Sequence, residues 1–334
     1  MTYQLEESSG YYEDITEVLS LPKNIQKKFF GNSKTVRYKT LVEIANIHKT
    51  NIIKVHTADN ILNNYIIKYS KNRQNNSLKE LEKSFARGNI DCKNLSKILY
   101  YKADDELLDE KTNTTFTITI SNYTNNGKNL KQLLLEENNF SKKEKAQIFV
   151  DVLNGLNELH KNGFIHNDIK SENIIYQATK DKKMNFVICD YDFIWKISKL
   201  AKNKSLGGTV GFYSPEKIAY SYGISTIDTN NPQTDIWSAG MVFFEVIAGI
   251  PLRKGLNKKI TKYIGSLISE DEIQKCLNNI VKRYINDENE IFQDLFLSML
   301  VIDPQKRKSS KECLSIAKKI LKKIEMENSR SNNL

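Results

Sequence analysis

The chain has 334 residues, of which 40% are hydrophobic, and this predicts one large domain or two modest ones with a substantial core. Its net charge of +10 comes from lysines spread over many segments, without an arginine- and aromatic-rich block, which argues against nucleic-acid binding as the main function. No apolar run is long enough to span a bilayer, and the acidic first residues lack the basic and apolar regions of a signal peptide. The four cysteines are scattered without disulfide or metal-ligand spacing, so we expect a cytoplasmic protein.

The first part of the chain contains short alternating runs rich in β-branched residues, a pattern typical of strands. Residues 1–34 are polar and are expected to form an extension. Between the third and fourth strands, apolar residues recur at helical spacing over residues 77–85 and predict one helix. The expected strands are Leu41–Ile44, Ile52–Val55, Tyr65–Lys68, Ile98–Tyr101 and Phe116–Ser121.

After residues 125–127 the pattern becomes mostly helical. Ser141 is a suitable N-cap, and Glu144 occupies the capping-box position that accompanies such a cap. Apolar residues then continue at helical spacing as far as the turn at Asn162 and Gly163. The sequence therefore predicts a β-rich part followed by a helical part.

The segment Phe164–Ile175 carries the chemistry. An Asp, a Lys two residues later and an Asn three residues after that form a spacing suited to phosphoryl transfer. In this interpretation Asp168 orients a substrate hydroxyl and accepts its proton, and Lys170 faces the moving phosphate. Asn173 holds a metal ion.

With this loop, the chain resembles the eukaryotic-type protein kinase family over about residues 40–322. Further matching segments follow in the family's order, namely Asp190–Asp192, Gly208–Glu216, Asp235–Gly240 and Asp303–Arg307. The resemblance implies an α+β, bilobal fold with a small β-rich N-lobe at 35–123, which has one main helix, and a larger, mostly helical C-lobe at 124–325. Residues 326–334 are polar and are expected to form a frayed tail.

The resemblance also implies roles for residues beyond the loop. Asp190 stands where the family has the Asp that chelates the metal ion bridging the nucleotide phosphates. Asp235 begins the helix that anchors the backbone of the catalytic loop. Glu216 and Arg307 are expected to form an ion pair. The implied cofactors are ATP and Mg²⁺ or Mn²⁺, and the implied substrate is a Ser or Thr of a protein, because Lys170 matches the Ser/Thr branch of the family.

In the small lobe, the resemblance implies that Lys68 grips the α- and β-phosphates of ATP. Its partner is expected to be Glu82, with Glu80 as the alternative. The hinge that receives adenine is placed at 121–124. The hinge candidates for nucleotide binding are Ser121, Asn122 and Thr124, and Ile175 at the end of the catalytic loop is a further candidate. Ser121 would guard the back of the nucleotide pocket, whereas a register shifted by one residue would put Ile120 there.

The phosphate-binding loop departs from the family, because no glycine occurs between Asn32 and Arg87. Counting back from Lys68 places its counterpart at residues 46–51. Asn tolerates positive φ better than most residues, so Asn46 and Asn51 are expected to keep the turn and contact the nucleotide. The alternative is a plain hairpin turn without nucleotide contact.

Two substitutions alter the large lobe. Asn167 replaces the Arg that normally receives an activation-loop phosphate, so we expect activity that does not depend on phosphorylation of Ser205. Asp192 replaces a glycine and adds negative charge near the metal site.

Two other functions stay open at this point. Asp190–Asp192 also resembles the metal site of choline or aminoglycoside kinases, but the matches after Gly208 belong to protein kinases. The missing glycine loop and Asp192 are compatible with a pseudokinase scaffold, against which the presence of Lys68, Asp168, Asn173 and Asp190 argues. The lysine- and asparagine-rich composition also allows a translocated effector that acts in host cytoplasm.

Overall fold

A computed structural model describes residues 36–43, 50–57, 60–72, 76–109, 114–122, 128–136, 140–178, 184–197, 207–223, 229, 231–252, 256, 259–260, 262, 269–285 and 287–331. These residues fall into two compact units. The first lies within 1–89 and 96–125, and the second within 90–95 and 126–334. Among the helices described, none has both the length and the apolar content needed to cross a membrane.

The first unit is built on an antiparallel sheet with the strand order β1-β2-β3-β5-β4. Each expected strand overlaps one of these, and β3 and β4 extend well beyond the expected bounds. The strands are β1 (Val36–Glu43), β2 (Thr50–Thr57), β3 (Asn60–Asn72), β4 (Ile98–Asp109) and β5 (Thr114–Asn122).

Helix α1 (Asn76–Ala86) joins β3 to β4 and confirms the predicted helix. Its buried side chains are Leu78, Leu81 and Phe85, the residues that the helical spacing selected. Burial of this apolar stripe is the main source of stability for a helix of this length, since an isolated helix of 11 residues is marginal in water.

The second unit is mostly helical. Among its described residues, the continuous helices are α2 (Leu130–Glu136), α3 (Lys142–Lys161), α4 (Pro215–Ser221), α5 (Gln233–Ala248), α6 (Glu270–Tyr284), α7 (Gln293–Met299) and α8 (Ser310–Ser331). Short antiparallel pairs join β6 (Phe164–Ile165) to β9 (Trp195–Lys196) and β7 (Ile174–Ala178) to β8 (Met184–Ile188). The α+β fold class, with a small β-rich part and a larger helical part, is confirmed.

An aromatic cluster fixes the helices that flank the catalytic loop. Phe149 of α3 stacks on Phe243 of α5 with ring centroids 4.1 Å apart. Phe292 and Phe296 meet the Phe149 ring edge-on. All four rings are fully buried, so the cluster sets the position of α3 against α5.

The capping box expected at Ser141 is also present at the start of α3.

The segment Ile90–Leu95 belongs to the second unit, although it lies within the range expected for the small lobe. Asn94 is fully buried, and its amide donates to the Asn185 side chain at 3.0 Å and to the Phe186 carbonyl at 2.9 Å. The Asn94 carbonyl accepts from the Ile188 N–H at 2.9 Å. These bonds hold the 90–95 segment against β8.

Helix α8 continues through residues 326–331, where the sequence predicted a frayed tail.

Candidate active site

The catalytic loop connects β6 to β7 and is held from below by Asp235 at the start of α5. The Asp235 carboxylate accepts the backbone N–H groups of His166 and Asn167, each at 2.8 Å. His160, at the end of α3, approaches the same carboxylate with its Nε2 at 2.9 Å. The anchoring role that the resemblance implied for the α5 segment is confirmed.

Asp235 is a buried charge whose partners compensate its loss of solvent. Burial alone would raise the pKa of Asp235, but the hydrogen bond and charge of His160 and the bond from the His166 backbone hold it below its usual value. The other ring nitrogen of His160 lies 3.0 Å from the Ser310 hydroxyl. Helices α3, α5 and α8 therefore meet at one polar junction under the loop.

The carboxylate of Asp168 is the centre of the site and is almost completely buried. The Asn173 amide donates to its Oδ2 at 3.0 Å and to its backbone carbonyl at 2.8 Å. The Lys170 ammonium lies 2.8 Å from the same Oδ2. The Thr209 hydroxyl donates to Oδ1 at 2.7 Å and accepts from Lys170 at 3.0 Å. The structure thus brings Asp168, Lys170 and Asn173 together.

This arrangement suits a group that accepts a proton from a bound hydroxyl. The orientation of the carboxylate is set by bonds to both oxygens and to the backbone of Asp168, so no reorganisation is needed on reaction. The adjacent Lys170 ammonium supplies positive charge where negative charge develops. Charge-assisted hydrogen bonds of this kind are short and strong.

Contacts of Cys189, the residue before Asp190, place Asp190 next to the catalytic loop. The Cys189 N–H donates to the Asn173 carbonyl at 2.9 Å. The Cys189 carbonyl lies 3.1 Å from His166 Nε2. Because a carbonyl oxygen only accepts hydrogen bonds, His166 Nε2 carries the proton. The other ring nitrogen, Nδ1, accepts a hydrogen bond from the Asp168 N–H at 3.3 Å. Asp190 itself has a positive φ of 64°, an uncommon backbone conformation that functional sites retain.

The side chains at 173 and 190 fit a hard divalent cation. The Asn173 amide nitrogen is occupied by Asp168, which leaves its oxygen as the atom able to ligate a metal. Together with the Asp190 carboxylate, this gives an all-oxygen donor set, the kind that Mg²⁺ and Mn²⁺ prefer. In the described part of the chain there is no cluster of three or more His, Cys, Asp and Glu side chains that could hold a metal.

The predicted ion pair between Glu216 and Arg307 is confirmed. Two bonds of 2.9 and 3.1 Å join the guanidinium to the carboxylate, and both side chains are at most 1% exposed. Arg307 also donates to the backbone carbonyls of Val301, Ile302 and Gln233. Every edge of the guanidinium is therefore used to tie the α4 segment to the loop after α7.

The family model of the protein kinase domain matches residues 39–317, which is most of the chain. This chain belongs to the protein kinase family. Membership implies the use of ATP and a divalent metal ion.

Curated relatives are likewise kinases, at modest identity. The chain is 28% identical over 190 residues to a calcium/calmodulin-dependent protein kinase of Emericella nidulans, a match that covers 54% of this chain and 40% of the relative. It is 28% identical over 185 residues to the Ser/Thr kinase shk1/pak1 of Schizosaccharomyces pombe, covering 54% and 25%. It is 26% identical over 216 residues to the phosphorylase b kinase gamma catalytic chain, liver/testis isoform, of Rattus norvegicus, covering 62% and 48%. The chain thus spans less than half the length of these relatives.

The small unit of this kinase holds Lys68 in the middle of β3. In the sheet register Lys68 lies opposite Thr119, and Ile66 lies opposite Ser121, so Lys68 and Ser121 belong to one face of the sheet. Ile120 belongs to the other face and is fully buried. The register therefore places Ser121, and not Ile120, on the face of the sheet that carries Lys68.

The remaining nucleotide candidates are placed as follows. In α1, Glu82 is half-buried and Glu80 is exposed. Asn51 lies in β2 and pairs with Glu43 of β1. Asn122 ends β5, and Ile175 is a half-buried residue of β7. Asn46, Thr124 and the expected phosphosite Ser205 lie outside the described residues.

Sequence reasoning did not single out Thr209, although its hydroxyl contacts both Asp168 and Lys170. The signal was present, since Thr209 lies inside the segment Gly208–Glu216 that carries the resemblance. No local pattern distinguished it from its neighbours, because its partners are about 40 residues away in sequence.

Proposed function

We propose that this chain is an ATP-dependent protein kinase that transfers the γ-phosphoryl group of ATP to a Ser or Thr hydroxyl of a protein. The observation that carries the proposal is the cluster in which Lys170, Thr209 and Asn173 all bind the carboxylate of Asp168. Such a cluster provides a proton acceptor and a fixed positive charge within one hydrogen-bonded group.

In this mechanism the substrate hydroxyl approaches Asp168, which orients it and takes its proton as the bond to phosphorus forms. Lys170 then compensates the negative charge on the transferring group. Thr209 holds Asp168 and Lys170 in register. Because little covalent chemistry falls to the protein, positioning and charge are the main contributions of these side chains.

Asn173 and Asp190 are proposed to hold Mg²⁺ or Mn²⁺. When bound, the ion neutralises charge on the nucleotide phosphates. Lys68 and Glu82 are proposed to fix the α- and β-phosphates, and Ser121, Asn122 and Thr124 to receive the adenine. We further propose a cytoplasmic location, which is the host's cytoplasm if the protein is a translocated effector.

The two other functions considered from the sequence receive less support. The family model and the buried Glu216–Arg307 pair fit a protein kinase and speak against a small-molecule kinase. The bonded cluster at Asp168 keeps a proton acceptor and a positive charge together, which argues against a pseudokinase.

The test is transfer of labelled γ-phosphate from ATP to a generic protein substrate with Mg²⁺ or Mn²⁺, followed by phosphoamino-acid analysis. Asp168→Asn should reduce kcat by roughly 10²- to 10⁴-fold, the usual contribution of general acid–base catalysis. Asp190→Asn should raise the metal concentration needed for half of the maximal rate, because it removes the charge of a proposed ligand. Asp271→Asn, at an exposed position of α6, is the matched control and should behave as the parent. Transfer by Asp168→Asn at the parent rate would refute the assignment.

A further inference from the structure

The residue before Asp168 has a strained backbone. Asn167 has a φ of 67°, in the left-handed region that residues other than glycine rarely occupy. Such a conformation is unfavourable and persists where surrounding contacts over-determine it. The Asn167 N–H is bound by Asp235, as described above, and its side-chain amide donates to the Phe193 carbonyl at 3.2 Å.

The Asn167 carbonyl, which belongs to the peptide leading into Asp168, is bound by a lysine of α4. The Nζ of Lys217 lies 3.2 Å from this oxygen and 3.1 Å from the Gly207 carbonyl. Lys217 is only 2% exposed, which is unusual for an ammonium group. Its Nζ also lies 5.4 Å from the centre of the Tyr213 ring.

The charges around Lys217 compensate its burial in part. Burial lowers the pKa of Lys217, while the carboxylates of Asp235, Asp168 and Glu216 act in the opposite direction. A lysine that served only to fill space would be replaced without loss by an apolar side chain. The two carbonyl contacts give this lysine a specific geometric task.

The segment after Gly207 packs against the same carbonyl. Gly208 has a φ of 109°, and a Cβ built on it would lie 2.3 Å from the Asn167 carbonyl oxygen. The next residue, Thr209, places its hydroxyl on Asp168. Lys217 therefore binds both backbones at the point where they touch.

We propose that Lys217 is a positioning residue that clamps the Gly207–Thr209 segment to the Asn167–Asp168 peptide and thereby orients the Asp168 carboxylate. This inference rests on the proposed function, since the orientation is that needed for phosphoryl transfer. Because the cation that joins the two segments is the Lys217 side chain itself, their contact forms without phosphorylation of the protein.

The experiment compares Lys217→Met and Lys217→Gln with the parent in the transfer assay, with ATP and protein substrate each titrated. Methionine keeps the apolar stem and removes the donors. Glutamine is one bond shorter, so its amide does not reach both carbonyls at once. We expect kcat to fall roughly 10- to 100-fold for Lys217→Met, the scale of a misplaced catalytic group, and less for Lys217→Gln. The KM for ATP should change less than about threefold, because Lys217 acts through Asp168 and not on the nucleotide.

Thermal unfolding with and without ATP and metal ion separates positioning from misfolding. Leu277→Ala, which truncates a fully buried side chain of α6, is the stability control and should lower the melting temperature while leaving kcat per folded molecule unchanged. If either Lys217 variant is folded and keeps kcat within twofold of the parent, the proposal is refuted. If Lys217→Met does not fold, Lys217→Gln decides alone. Absence of transfer by the parent would instead refute the proposed function, and the positioning role with it.

Discussion

Replacing Arg307 with methionine should severely destabilise the helical unit. Methionine has a similar length but cannot donate hydrogen bonds. The change leaves the Glu216 carboxylate, which is 1% exposed, without its cation. It also removes the donors to the backbone carbonyls of Val301, Ile302 and Gln233.

The magnitude follows from the burial of this pair. Breaking a buried ion pair by removing one partner costs about 3–5 kcal/mol, because an uncompensated charge stays in the interior. For a domain of roughly this size, each kcal/mol lowers the melting temperature by about 2–4 °C. We therefore expect Arg307→Met to lower the melting temperature by roughly 6–20 °C.

The assay is thermal unfolding of Arg307→Met, Glu216→Gln and the double variant. In the parent background Glu216→Gln should lower the melting temperature, because it weakens the bidentate pair. In the Arg307→Met background the same change should raise it, because it removes an unpaired buried carboxylate. A Glu216→Gln effect of the same sign and size in both backgrounds would refute the reasoning.

Lys306→Met is the matched control for this series. Lys306 precedes Arg307 in the chain, but its ion pair with Glu270 lies at the surface, with 67% of the lysine side chain exposed. Exposed pairs contribute little to stability. Loss of the Lys306–Glu270 pair should therefore leave the melting temperature nearly unchanged. A shift as large as that of Arg307→Met would contradict the argument that burial makes the Glu216–Arg307 pair important.

Three further outcomes are expected. Gly208→Ala should abolish most transfer activity, because its Cβ would collide with the Asn167 carbonyl at a positive φ; activity within threefold of the parent would show that the segments can separate at no cost. Ser205→Ala should retain the parent kcat, measured on protein shown by mass spectrometry to be unphosphorylated, and a large loss would mean that a phosphate is required. Burial raises the pKa of Cys313 to about 12, so iodoacetamide at pH 8 should label it only after denaturation. Peptide mapping measures this, and rapid labelling of the native protein would contradict the burial.

Much of the fold was predictable because its signals are local. The apolar spacing in α1 and the capping box at Ser141 each depend on residues within a few positions of one another. The loop from Asp168 to Asn173 is equally compact in sequence, so its three functional side chains could be named together. The Glu216–Arg307 pair is not local, and it was predictable only through the resemblance to the family.

Other features could not be read from the sequence. A Lys following Glu216 in a lysine-rich chain suggests a solvated side chain, and nothing near Lys217 in sequence indicates that it is buried. Its acceptor on Asn167 is 50 residues away. In the same way, His160 and Ser310 meet across 150 residues.

By itself, the sequence determined which residues are proposed to carry the chemistry, since Asp168, Lys170, Asn173 and Asp190 are recognisable from their types and spacing. Only the tertiary structure decided how Asp168 is held, through Thr209 and Lys217 from the later segment and Asp235 beneath the loop. The physical reason is that helical and strand periodicity act over a few residues, whereas the burial of a polar group and the partner that compensates it depend on how distant segments pack.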